Sequence, residues 1–193
     1  LTKLKRLDIQ SNRLTKIENL ESQCENLEEL YLAHNGIDDD GASQPTGLAM
    51  TFPKLNVLDL SRNRLASTAP FAHLSALEEL WLSGNKMQDF EAVAPLRDAA
   101  AQERLPSLET LYLEYNPMAS DFEYRKKLAE WIPTLKQIDA TMIGGTAAHY
   151  GTIGMTGTIG GGGGATMATE ERLRELQAAA IERAKQESEA KGE

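Results

Sequence analysis

The sequence predicts an α/β solenoid: a curved stack of short parallel β-strands along a concave face, a C-terminal cap, and a disordered or helical tail. Three observations lead there. An eleven-residue apolar pattern recurs five times within 193 residues. The copies return at a nearly regular period. Each copy is too short to bury its own apolar side chains, so only stacking on its neighbours can take them out of water.

The copies in order are Leu4-x-x-Leu7-x-Ile9-x-x-Asn12-x-Leu14, then Leu27 to Ile37, Leu55 to Leu65, Leu77 to Met87 and Leu108 to Met118. The form L-x-x-L-x-L-x-x-N-x-L/I/M is the signature of a leucine-rich repeat. The first leucines lie 23, 28, 22 and 31 residues apart. The base period is thus about 22, at the short end of the known range. Extra length enters after Ile37 and after Met87, as a solenoid tolerates when an insertion bulges from one side of a rung. An apolar residue stands three positions ahead of each rung: Leu1, Cys24, Phe52, Leu74 and Leu105. Stacking these rungs stabilises the array by roughly 1.5–3 kcal/mol per fully buried leucine.

The asparagine at the ninth position has a separate task. Asn12, Asn35, Asn63, Asn85 and Asn116 are expected to satisfy backbone groups of the turn leaving each strand and to stack as a structural ladder. Residues 1–119 therefore read as five repeats. Residues 120–143 read as their cap. Ser120-Asp-Phe-Glu123 has the form of a capping box. Tyr124, Leu128, Trp131 and Ile132 line one helical face, and Pro133 ends the helix. Leu135-x-x-Ile138-Asp139 follows as half a further rung. At the other end, Leu1 falls in register on the apolar position of a repeat. That predicts further repeats upstream and an uncovered first rung.

Residues 144–168 hold ten of the fifteen glycines and read as a flexible linker. Residues 169–193 read as a charged amphipathic helix that Thr169 can cap, with Leu173, Leu176, Ala180, Ile181 and Ala184 as a narrow apolar stripe.

Composition narrows function. A net charge of −9 argues against nucleic acid as a partner, because affinity for phosphate backbones comes from clustered Lys and Arg. A basic protein surface is the more natural partner. No apolar run approaches the ~18 residues of a membrane span. The single cysteine, Cys24, excludes an intrachain disulfide and reads as a small buried hydrophobe. His34, His73 and His149 are scattered, and no Cys/His cluster has metal spacing. Asp38-Asp39-Asp40-Gly41 lacks the alternating ligands of a calcium loop and reads as a solvated acidic loop. No nucleophile, base and orienting group can be placed together. The expectation is a protein without catalysis, cofactor or metal.

What remains is the concave surface. Strand alternation turns the residues between the leucines toward it. At the fifth position of the rungs these are Asp8, Tyr31, Asp59, Trp81 and Tyr112, with Glu29 and Glu79 among those at the third. Aromatic side chains among carboxylates resemble the anchors of a protein interface.

Leu27-Glu-Glu-Leu-Tyr-Leu-Ala-His-Asn-Gly36, Leu108-Glu-Thr-Leu-Tyr-Leu-Glu-Tyr-Asn-Pro117, Tyr124-Arg-Lys-Lys127 and Ile138-Asp-Ala-Thr141 carry a further likeness. With the 22-residue period, residues 1–143 resemble the C-terminal part of the leucine-rich regulatory subunit of protein phosphatase 1, a nuclear family of eukaryotes. The resemblance implies a non-enzymatic regulator that grips the phosphatase catalytic subunit with its concave face. By matching position it assigns the contact to Asp59, Glu79, Trp81 and Tyr112. Glu79 would accept bonds from Lys or Arg, Asp59 would form an ion pair, and the two rings would be buried anchors. Tyr31 and Asp8 extend the same row. It further implies effects on mitosis and chromosome segregation, a nuclear place with the cytoplasm left open, and a monomer when complete. The alternatives are a leucine-rich scaffold of the spliceosomal U2 particle type and a generic repeat scaffold for protein–protein interaction.

Overall fold

In the computed structural model each leucine triplet brackets one three-residue strand. Residues 3–143 are described, apart from Glu21, Gln23 and Cys24. The expectations for Leu1, Cys24, the linker 144–168 and the helix 169–193 fall outside the described residues. The strands β1 (Arg6–Asp8), β2 (Glu29–Tyr31), β3 (Val57–Asp59), β4 (Glu79–Trp81) and β5 (Thr110–Tyr112) form one parallel sheet in chain order. The register puts Leu7, Leu30, Leu58, Leu80 and Leu111 in a single row. This is a leucine-rich-repeat solenoid, as the periodicity predicts.

The strands are short because the chain must leave the sheet at once. The eighth residue of every rung adopts the left-handed conformation: Ser11, His34, Arg62, Gly84 and Tyr115 have φ between +54° and +68°. Only one is glycine, so four rungs accept some strain there. The asparagine that follows stabilises the turn. Asn35 Nδ2 donates to the Ile9 carbonyl of the preceding rung and to its own Leu32 carbonyl, while Oδ1 accepts from the Leu14 amide. Asn63 bonds the carbonyls of Leu32 and Leu60 and the amide of Ile37. Asn85 and Asn116 repeat the pattern one and two rungs on. Among the described residues, Asn12 bonds carbonyls of its own rung alone, those of Ile9 and Gln10.

Both insertions are pressed onto neighbouring rungs. The first carries the single turn α1 (Asp39–Ala42), which Asp38 caps through the Gly41 amide. Asp39 Oδ1 reaches the next rung and accepts from the amides of Ala66 and Ser67. The acidic run is therefore partly a cross-rung tie and not wholly a solvated loop. A Cβ on Gly41 or Gly47 would meet the carbonyl oxygens of Thr15 or Ile17 at about 1.9 and 1.8 Å, so only glycine lets the backbones approach this closely. The second insertion forms a 3-10 turn (Phe90–Val93) and α2 (Ala94–Ala101). Phe90 packs edge-on against Trp131 of the cap at 5.6 Å.

The cap helix α3 (Tyr124–Trp131) buries Tyr124 and Leu128, and the chain leaves it through the buried Ile132 ahead of Pro133. Its start differs from the expected capping box. Ser120 ends a 3-10 turn (Pro117–Ser120), its hydroxyl donates to the Pro117 carbonyl, and α3 starts without a side-chain cap bond. Asp121 accepts from the Glu123 amide in its place. The Asn116-Pro117 step starts the 3-10 turn and shifts the helix start to Tyr124, because proline at the first position favours an immediate tight turn. Then β6 (Gln137–Ile138) adds to β5 in parallel, and β7 (Thr141–Met142) turns back antiparallel.

The row of leucines is buried from rung two to rung five, and Ile138 continues it. Leu4, Leu7, Ile9 and Leu14 of rung one are only partly buried, and the last three line a cavity of about 240 Å³ together with Ile17, Leu20, Leu30 and Leu32.

Candidate protein-binding face

The alternating strand places the third and fifth residues of each rung on the concave side of the sheet, and the register fixes which face each other. Arg6 stands opposite Glu29 and Asp8 opposite Tyr31. Tyr31 in turn neighbours Asp59, Asp59 neighbours Trp81, and Trp81 neighbours Tyr112. All six candidate residues, Asp8, Tyr31, Asp59, Glu79, Trp81 and Tyr112, therefore belong to one continuous surface.

They are not equally available. At the first two rungs the surface is closed by its own side chains. Arg6 Nη1 lies 2.8 Å from Glu29 Oε2, and Nη2 lies 3.7 Å from Asp8 Oδ2. The same guanidinium sits over the Tyr31 ring, 4.4 Å from its centre. The Tyr31 hydroxyl donates to Glu29 Oε2 at 3.0 Å. Burial, and then the hydrogen bond to Glu29, push the Tyr31 phenol above its ordinary value.

At rungs four and five the arrangement differs. Trp81 Nε1 donates to Glu79 Oε2 at 3.1 Å, and the Trp81 and Tyr112 rings meet tilted at 5.3 Å. Both rings are half-buried. Gln137 of the cap donates to the Tyr112 hydroxyl at 2.7 Å and fixes that ring. Among the described residues, neither Glu79 nor Asp59 has an ion-pair partner.

Asp59 is the unexpected member. It is only 4% exposed, between the positions of Tyr31 and Trp81, and Oδ1 accepts from the Ser61 amide at 2.8 Å. Burial raises its carboxyl above the ordinary range, and the Ser61 bonds offset this only in part. Glu114, at the seventh position of rung five, is likewise raised by burial and then by the nearby Asp139. This half of the face thus holds two carboxylates, Asp59 and Glu114, whose charge burial disfavours.

Two functional neighbours escape a strand-by-strand reading, Gln137 and Asp139, whereas Arg6 lies in the row at the third position of rung one. The Asp139 side chain takes over where the pairing of β5 with β6 stops. In inner rungs the sixth-position amide bonds a backbone carbonyl of the next strand, as Leu60 does to Trp81 and Leu82 to Tyr112. For Leu113 that acceptor is Asp139 Oδ1 at 2.9 Å, which also takes the Glu114 amide at 3.0 Å. Asp139 has φ +52°, so the backbone turns away there and a carboxylate stands in for the next strand. Arg125 clamps the turn through the carbonyls of Ile138 and Thr141, with Asp139 Oδ2 at 3.5 Å. Aspartate in Ile-Asp-Ala-Thr was the available signal, but its partner amides lie about a rung away in sequence.

No group of His, Cys, Asp or Glu among the described residues could hold a metal ion. No helix among them is long and apolar enough to cross a membrane.

Comparison with known proteins places these features. A family model described as "Leucine Rich repeats (2 copies)" matches residues 2–43 and 53–97. The protein phosphatase 1 regulatory subunit SDS22 of Schizosaccharomyces pombe is 36% identical over 81 residues, 41% of this chain and 23% of its own length. The acidic leucine-rich nuclear phosphoprotein 32 family member A of Drosophila pseudoobscura is 31% identical over 137 residues, 70% of this chain and 48% of its own length. The chain thus spans less than half of these curated relatives. Among solved structures, the Drosophila melanogaster SNF/U2A' complex contains a chain that superposes with a TM-score of 0.57 at 24% identity, covering 72% of this chain and 75% of that one. That likeness shows a shared fold.

Proposed function

We propose that this repeat solenoid is a scaffold for protein–protein interaction whose concave face at rungs three to five binds a basic protein surface. One observation carries the reading. Glu79, Trp81 and Tyr112 form a half-open acidic–aromatic surface on a rigid sheet, while the matching surface at rungs one and two is filled by Arg6. Half-buried aromatic side chains on a fixed backbone lose little entropy on binding and give the strongest anchors.

The partner proposed is the catalytic subunit of protein phosphatase 1. Supporting it are the stretches shared with phosphatase 1 regulatory subunits, 36% identical over 81 residues in one case and 51% over 37 in the human one. The same reading puts the protein in the nucleus and ties it to the control of phosphatase complexes in mitosis and chromosome segregation. A scaffold of the spliceosomal U2 type is the second reading, and it is favoured by the fold likeness to the SNF/U2A' complex.

An affinity capture from a eukaryotic nuclear lysate separates the two, with phosphatase 1 or U2 proteins as the distinguishing result. Titration calorimetry with the purified catalytic subunit then tests the face: Trp81→Ala should lose about 2 kcal/mol or more of affinity. Unchanged binding by that variant removes rung four from the contact.

A further inference from the structure

We propose that the flank of the solenoid where the chain leaves the strands, with Arg62 and Arg64 at its centre and Arg13 and Lys86 on either side, binds a short acidic segment of a partner protein. The inference goes beyond the reading of the concave face and does not depend on what that face binds.

Two rows in register build the flank. The eighth-position amides bond seventh-position carbonyls of the next rung: Ser11 to Ala33, His34 to Ser61, Arg62 to Ser83 and Gly84 to Glu114. The tenth-position amides bond eleventh-position carbonyls of the preceding rung: Gly36 to Leu14, Arg64 to Ile37 and Lys86 to Leu65. These bonds set the cations of successive rungs side by side. Rung one supplies Arg13, rung three supplies Arg62 and Arg64, and rung four supplies Lys86, and all four are exposed. Rung two contributes the exposed His34. Burial first, and then the nearby Arg62 guanidinium, hold the His34 ring below its ordinary value. Gly84 leaves room for the Arg62 stem, since a Cβ there would meet Arg62 Cγ at 3.2 Å.

The charges of this flank are unanswered. Lys5, Arg6, Arg97, Arg125 and Lys136 each pair with a carboxylate. Among the described residues none of Arg13, Arg62, Arg64 and Lys86 does, in a chain whose net charge is −9. Asp38 and Asp39, which follow Ile37, bond backbone amides instead: Asp38 that of Gly41, and Asp39 those of Ala66 and Ser67. Cations left without partners along one edge make a local positive field. An arginine can hold a carboxylate by a forked pair of bonds, and rung three offers two of them.

The length of the flank sets the size of the partner segment. The row crosses three stacking steps, about 14 Å at the usual strand spacing, which an extended chain covers in roughly four residues. It stops at rung five, where the eighth and tenth positions are Tyr115 and Pro117. A nucleic acid draws its affinity from many phosphate contacts, and so short a row on an acidic chain gives few. A brief run of Asp or Glu matches the flank in both length and charge.

The test titrates capped penta-glutamate into the full chain labelled with nitrogen-15, with capped penta-glutamine as the neutral control. Penta-glutamate should move the amide signals of Arg62, Arg64 and Lys86 saturably, and the effect should fade as salt rises. Lys126 and Lys127 of α3 are cations outside the flank, and their amides should stay still. The His34 ring should titrate at higher pH with the peptide bound, because its carboxylates offset the Arg62 charge. Arg62→Gln and Arg64→Gln should each weaken binding roughly two- to five-fold, the effect of an exposed ion pair. Arg64→Glu should abolish binding, whereas Lys126→Gln should leave it unchanged.

Unmoved signals at Arg62 and Arg64, an equal response to penta-glutamine, or equal movement at Lys126 and Lys127 overturns the proposal. Hexathymidylate carries the same charge on phosphates. If it binds as tightly as penta-glutamate, the flank is a nucleic-acid site and the acidic segment is ruled out.

Discussion

Rungs one and five carry the same eleven-residue pattern, yet their leucines are packed differently. At rung five, Leu111 and Leu113 are fully buried, because Ile138 continues the leucine row and Asp139 supplies the acceptor that a further strand would have given. At rung one, Leu7 and Ile9 are partly buried beside a cavity of about 240 Å³. The concave surfaces differ in the reverse sense. The face at rungs one and two is closed by Arg6, whereas the face at rungs four and five is open. A repeat pattern therefore sets the backbone of a rung, and its neighbours decide both how buried its leucines are and how free its surface is.

The largest effect expected from this contrast lies in the leucine row. Leu111→Ala should cost about 2–5 kcal/mol in denaturant unfolding, the range for a sealed core site. Leu7→Ala, at the equivalent position of rung one, should cost only roughly 1 kcal/mol, because less area is lost from burial. Equal losses would show that rung one is as well packed as rung five.

Next comes the cap. Asp139→Ala should lose about 1–3 kcal/mol, since the Leu113 and Glu114 amides keep no acceptor in the fold. Hydrogen exchange at those two amides should quicken while that at Leu60 and Leu82 holds. If exchange is unchanged at all four, the carboxylate is not the acceptor of the Leu113 and Glu114 amides.

The smallest effect concerns the open face. Asp59 is buried without a cation, so Asp59→Asn should stabilise the protein at pH 7, by something of the order of 1 kcal/mol. The sign follows from proton linkage. The folded carboxyl sits above its unfolded value near 3.9, so the native state holds more protons in that window. The contribution of Asp59 to stability is best in acid and falls as pH rises from about 4 through the raised value, and the Asn variant should lose that slope. The same variant should bind the partner more weakly, because a cation would otherwise relieve the buried charge. A destabilised Asp59→Asn protein, or one that binds as well as before, would remove the distinction drawn between the two halves of the face.

Much of this was legible without coordinates. The leucine spacing predicted the strands, the asparagines predicted the ladder, and the cap helix was foreseen with its buried Tyr124, Leu128 and Ile132. Its start was misplaced, because a capping box is read from four residues while Pro117 had already committed Ser120 to a tight turn. The left-handed eighth residue was hidden as well, since only Gly84 among the five advertises it. The candidate face was legible as a row of residue types. Its division into a filled and an open half was not.

The sequence by itself determined the solenoid, its five rungs, their register and the residue types on the concave row. These follow from a short-range pattern repeated along the chain, and each copy constrains its own backbone. Only the tertiary structure decided which part of the concave face is filled by the chain's own side chains. Arg6 meets Glu29 and Tyr31 across a stacking step of about 23 residues, and Val57 meets Glu79 across 22, so their chemistry exists only once the rungs are in register. The same holds for Asp139, which reaches amides 25 and 26 residues earlier in the chain. Charge and burial at these sites are properties of non-local neighbours, and a local pattern does not contain them.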